Sequence, residues 1–132
     1  MKVTVVGAGA WGTAIAAHTG RLGHQVTLWS LEEEVAKAIR EQHENTVYLA
    51  GLELPHTVTA TSDMAASVKE ADLVILVPPS SHLRKVTTQL RPHLRADSKV
   101  LVATKGIEEH TLKLMSEVLA ETLPELGWNR LA

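Results

Sequence analysis

Gly7, Gly9 and Gly12 are the residues whose type and spacing point most directly to chemistry. They close the stretch Val3-Thr4-Val5-Val6-Gly7-Ala8-Gly9-Ala10-Trp11-Gly12, in which an apolar, β-branched run enters Gly-x-Gly-x-x-Gly and a helix-forming segment follows. In such a strand–turn–helix each glycine has its own task. Gly7 permits the tight turn, Gly9 lets a pyrophosphate approach the backbone, and Gly12 lets the helix pack closely on the strand. The helix then offers free N–H groups and the positive end of its dipole to phosphate oxygens. Glycines alone are common in turns; their place between a strand and a helix, at the start of a βαβ unit, is what points to a dinucleotide.

Ligands of an open α/β sheet bind outside the carboxyl ends of its strands, so the other candidates should each sit just after a strand. After the second strand pattern an acidic residue would meet the ribose hydroxyls. Here Ser30 comes first and Glu32, Glu33 and Glu34 follow, where they can equally compensate the dipole of the next helix. No arginine directly follows that strand to take a 2′-phosphate, so NAD and NADP stay open as alternatives. Pro78-Pro79-Ser80 is either a rigid loop beside the nicotinamide ribose or pyrophosphate, with Pro79 in contact, or a plain strand terminator. Lys105, in Thr104-Lys105-Gly106, is either a point charge for an anionic substrate or a solvated surface lysine. Trp11 is a lid on the cofactor or a core anchor. The seven histidines show no metal-ligand spacing and no Ser/His/Asp set can be assembled, so no metal site is expected.

The elements that must position these residues alternate. Strands are predicted over 2–6, 25–29, 57–60, 72–77 and 99–103. Helices are predicted over 10–22, from a Ser30–Glu33 capping box to residue 42, from Ser62 or Asp63 through 69, over 81–90, and over 109–123 before Pro124. Residues 43–56 lack a period and read as a loop or a short irregular helix. Five βα repeats imply a Rossmann-type, doubly wound parallel sheet of order 3-2-1-4-5, with its sixth strand missing. The fifth strand would then be an edge, with Val100 and Val102 beside unpaired N–H and C=O groups, and either a homodimer through that edge or a tendency to aggregate is expected.

Composition narrows the class. With 132 residues the chain has room for one core and not for two ordinary domains. A net charge of −2 gives no reason to expect nucleic acid or a membrane surface as partner. No cysteine is present, which excludes disulfides and thiolate chemistry and agrees with a cytoplasmic setting. The apolar start could pass for a secretory signal, but three glycines and Trp11 interrupt it.

Several motifs together resemble the NAD(P)-dependent glycerol-3-phosphate dehydrogenases. They are Gly7 to Ala14, Gly23-His24 leading to Leu28-Trp29, and Glu44-Asn45 with Tyr48-Leu49, Gly51 and Leu54-Pro55. Leu83-Arg84, Thr104-Lys105-Gly106-Ile107-Glu108 and Ser116-Glu117-Val118 complete the set. The resemblance implies that Gly7, Gly9, Ala10, Trp11 and Gly12 hold the pyrophosphate of NAD or NADP, with Tyr48 near the cofactor; Ser30 is expected to meet the cofactor from its position directly after the second strand. It implies that Lys105 contacts cofactor and the phosphate or hydroxyl of a small phosphorylated substrate. The implied reaction is hydride transfer between dihydroxyacetone phosphate and glycerol 3-phosphate, a step of glycerophospholipid metabolism. Leu31 stands where bacterial members often carry Arg, and Pro78-Pro79 and Ser81 depart from the usual Val-Pro and Ser-Gln. The second catalytic lysine of the family lies in a helical substrate domain, so residues 1–132 are expected to form an incomplete dinucleotide-binding domain with little activity of its own. The alternatives are a related hydroxy-acid dehydrogenase domain and a non-catalytic nucleotide-binding module.

Overall fold

Alternate residues of the central strands are buried on opposite faces, and this sets the layers. In the computed structural model, which describes residues 1–132, β1 (Lys2–Val6) sends Val3 and Val5 to one face and Val6 to the other. β2 (Gln25–Trp29) repeats the pattern, with Val26 and Leu28 opposite Trp29. β6 (Leu73–Leu76) does the same, with Ile75 opposite Val74 and Leu76. Such strands must be covered on both sides. Helices α1 (Ala10–Arg21) and α2 (Glu33–Gln42) cover one face through Ala16, Ala17, Val35 and Ile39. The other face lies under α3 (Met64–Val68), α4 (Ser80–Leu90) and α5 (Met115–Thr122), which contribute Val68, Leu83, Leu90 and Leu119. No helix is long and apolar enough to cross a membrane.

With β5 (Val58–Thr61) and β7 (Lys99–Val102), these strands form a five-stranded parallel sheet of order β5-β2-β1-β6-β7. The fold is therefore the expected Rossmann-like parallel sheet flanked by helices. Its order in chain numbering is not the 3-2-1-4-5 of the sequence reading. The difference comes from residues 43–56, which are neither loop nor helix but hold an antiparallel pair, β3 (Glu44–Asn45) and β4 (Leu49–Glu53).

Three local expectations also need correction. The Ser30–Glu33 capping box does not form. Ser30 Oγ accepts the Glu32 N–H at 3.1 Å, Glu32 is extended, and α2 starts at Glu33 with no side-chain cap. The last helix starts at Met115 rather than 109. Residues 107–114 instead fold back on themselves, with an Ile107–Leu114 bridge and positive φ at His110 and Leu112. The Glu117 carboxylate accepts the Leu114 N–H at 2.7 Å and defines the true start. Finally, the outer edge of β7 is not bare. Leu131 forms a parallel bridge to Val100, Val102 N–H donates to Ala132 C=O, and Val100 is buried. This removes the basis on which self-pairing at that edge was expected.

Candidate functional site

The turn after β1 is fixed by what a side chain would hit. Gly7 sits at φ +120°, and a Cβ there would lie 3.0 Å from the Val77 carbonyl carbon. A Cβ on Gly12 would lie 1.8 Å from Gly7 C=O, so the first turn of α1 can rest on the loop only with glycine. A Cβ on Gly9 meets nothing within 4 Å: that position faces open space. No side chain caps α1 at Gly9 and no acid stands in its first turn. Its first N–H groups and positive dipole end are therefore free to receive an anion.

That loop forms the floor of a cleft of about 640 Å³ at the carboxyl ends of β2, β1, β6 and β7. All nine residues singled out from sequence line it: Gly7, Gly9, Ala10, Trp11, Gly12, Ser30, Tyr48, Pro79 and Lys105. The volume suits a ligand of cofactor size. Trp11 is 54% exposed, which rules out a core anchor. Lys105 Nζ lies 5.8 Å from the centre of its ring, within cation–π range, so the indole orients the ammonium over the cleft. Thr104 Oγ1 donates to Pro78 C=O at 2.6 Å and ties the loop after β6 to the loop that carries Lys105.

Charge divides the cleft. Its lysines, Lys85 and Lys105, come from α4 and the loop after β7, whereas its one acid, Glu32, follows β2. Strands spaced ~4.8 Å apart place these two ends roughly 14 Å from each other. The Tyr48 hydroxyl donates to Glu32 Oε1 at 2.5 Å, and this bond with the carboxylate charge pushes the phenol pKa up. Glu33, by contrast, turns away. It accepts from Ser62 and Arg40, whose bonds hold its carboxyl below the usual range.

Two supports were not singled out from the sequence as site residues. Asn45 is fully buried, and its Nδ2 donates to Ala8 C=O at 2.9 Å and to Thr13 Oγ1 at 2.8 Å. Its Oδ1 accepts the Tyr48 N–H at 3.0 Å, so a single side chain fastens the β3–β4 hairpin to the glycine loop. At the other end, the Arg84 guanidinium grips Glu108 through two bonds of 2.9 Å and also reaches Glu121. Arg84, and after it Thr111, hold the Glu108 carboxyl down to about 2. This anchors the segment that begins at Lys105. His82, Lys85, Val86 and Gln89 of α4 also line the cleft, at a three-to-four residue spacing that was visible in the sequence as one helix face.

A family model described as "NAD-dependent glycerol-3-phosphate dehydrogenase N-terminus" matches residues 2–128. The chain belongs to this family. A glycerol-3-phosphate dehydrogenase [NAD(P)+] of Caulobacter vibrioides is 45% identical over 123 residues, which is 93% of this chain and 37% of that protein. The crystal structure of glycerol-3-phosphate dehydrogenase from Coxiella burnetii superposes with a TM-score of 0.86 at 32% identity, covering 92% of this chain and 37% of that one. A glycerol-3-phosphate dehydrogenase structure from Saccharomyces cerevisiae gives 0.82 at 31% identity, covering 94% and 39%. This family member thus spans well under half the length of the relatives it matches.

Proposed function

We propose that residues 1–132 form the dinucleotide-binding domain of a cytoplasmic oxidoreductase that moves hydride between NAD(P)H and dihydroxyacetone phosphate or glycerol 3-phosphate. The observation that carries this reading is the convergence of the open Gly9 position, the uncapped start of α1 and the Trp11-oriented Lys105 on one cleft. The nicotinamide, when bound, supplies or accepts the hydride. The chain's own residues do the holding. The N–H groups from Gly9 to Gly12 receive the pyrophosphate, and the absence of a Cβ on Gly9 lets it approach. Ser30, Glu32 and Tyr48 face the adenosine end. Pro79, whose ring restricts the loop after β6, lies beside the nicotinamide ribose. Lys105 meets the substrate phosphate or hydroxyl as a point charge, and can steady negative charge developing on the substrate oxygen.

Hydride transfer needs the carbonyl carbon held against the cofactor while a donor stabilises the forming alkoxide. Lys105 supplies one cation for that task, and this reading assigns the second lysine to a helical substrate domain outside residues 1–132. Calorimetric titration of the 132-residue chain with NADH should therefore show one site per chain. Mixing NADH with dihydroxyacetone phosphate should give little or no oxidation. Absence of any heat or fluorescence change with either NADH or NADPH would overturn the binding assignment.

A further inference from the structure

We propose that Glu32, held at the lip of the cleft by Tyr48, makes this site select a dinucleotide with a free ribose 2′-hydroxyl over one carrying a 2′-phosphate. The inference rests on the dinucleotide reading of the cleft and adds to it the choice between two cofactors. Three glutamates follow β2 in sequence, and the fold separates them. Glu32 lines the cleft beside Ser30 and Leu31, whereas Glu33 points to Arg40 and Ser62. The Ser30 hydroxyl accepts the Glu32 N–H and fixes the turn that aims Glu32 inward. The Tyr48 hydroxyl occupies Glu32 Oε1, which leaves Oε2 to accept hydrogen bonds from ribose hydroxyls. Tyr48 in turn is placed by Asn45, through the bond to its backbone N–H.

A 2′-phosphate entering here would bring a charge of about −1.5 to −2 against that carboxylate. No cation lines the cleft at this end to receive it. The lysines of the cleft belong to the opposite end, on α4 and after β7. Arg40, on α2, is committed to Ala60 C=O at 3.1 Å and to Glu33. The negative charge of Glu34 also acts on the Tyr48 phenol and deepens the field at this lip. A free 2′-hydroxyl, in contrast, donates to the carboxylate and is favoured by the same charge. Rejection of the phosphorylated cofactor thus comes from a repulsive element as well as an attractive one.

The test is parallel titration of the wild-type chain, Glu32→Gln, Tyr48→Phe and Glu33→Gln with NADH and NADPH at low salt. Wild type should bind NADH at least roughly tenfold more tightly than NADPH. Glu32→Gln should narrow the ratio to about threefold or less, mainly through tighter NADPH, because the repulsion is gone. Tyr48→Phe, which frees the carboxylate, should narrow it partly, and Glu33→Gln should leave it unchanged because that side chain lies outside the cleft. Equal affinity for the two cofactors in wild type, or an unchanged ratio in Glu32→Gln, would overturn the proposal while leaving the cleft reading intact. Failure of wild type to bind either dinucleotide would overturn both.

Discussion

The two ends of the cleft are built by different physics. At the β2 end, a carboxylate at the lip is placed by hydrogen bonds from the Tyr48 hydroxyl and through the Ser30 turn, without an ion pair. Asn45 is fully buried, and its three bonds join the glycine loop, α1 and the Tyr48 hairpin. At the β7 end, an ammonium is placed by charge. Trp11 lies beneath Lys105, and the Arg84–Glu108 fork holds the segment that follows, with side chains 38% and 12% exposed. A buried amide network is rigid and costly to disturb, because each orphaned partner loses its only hydrogen bond. A partly exposed ion pair can be screened and contributes less. The contrast suggests a firm β2 end and a more adjustable β7 end, which in the proposed function are the adenosine end and the substrate end.

The largest effect should come from the hinge common to both ends. Gly12→Ala forces a Cβ to 1.8 Å from Gly7 C=O and should cost about 3 kcal/mol or more in urea unfolding, together with dinucleotide binding. Next, Asn45→Ala should act chiefly at the β2 end. It removes the bonds to Ala8 C=O, Thr13 Oγ1 and Tyr48 N–H, and should cost about 2–4 kcal/mol. Limited proteolysis should then cut first within 43–54, and loss of stability without such local cleavage would count against a distinct network at this end.

Much of the site was legible in sequence, for a specific reason. Val3 to Gly12 combines a burial period with glycines whose tasks are steric, and both signals are local. The β3–β4 hairpin was not legible, because only Asn45 is buried in its strands and its partners, Ala8 and Thr13, stand more than thirty positions away. Likewise 109–114 looked helical until Arg84, from α4, drew Glu108 into a fold-back. Glu32 and Glu33 look alike in sequence, and only the position of Tyr48 and of Arg40 and Ser62 tells them apart. Apolar periodicity is written along the chain, whereas the partner of a hydrogen bond is not.

Smaller changes should sharpen the contrast from the β7 side. Lys105→Met should weaken NADH binding by roughly three- to tenfold and shift Tm by less than about 2 °C, since the side chain is exposed and tied only to Trp11. The Arg84–Glu108 pair should show itself in acid. Glu108 is held near 2 against an ordinary 4.5, so its contribution is complete above pH 4.5 and is lost as pH falls toward 2. Wild type and Glu108→Gln should therefore differ in stability near neutral pH and converge as pH approaches 2. A difference that persists undiminished at that pH would show that packing, not the ion pair, holds the segment.

The central claim is that this one cleft receives a dinucleotide along its length, adenosine at the acid end and nicotinamide at the lysine end. Backbone amide NMR of the 132-residue chain during titration with NADH tests it most directly. The account predicts saturable shifts at Gly7 to Gly12, at Ser30 to Glu32 and Tyr48, and at Lys105, with one common affinity. Shifts that saturate elsewhere, or none at the glycine loop, would contradict it.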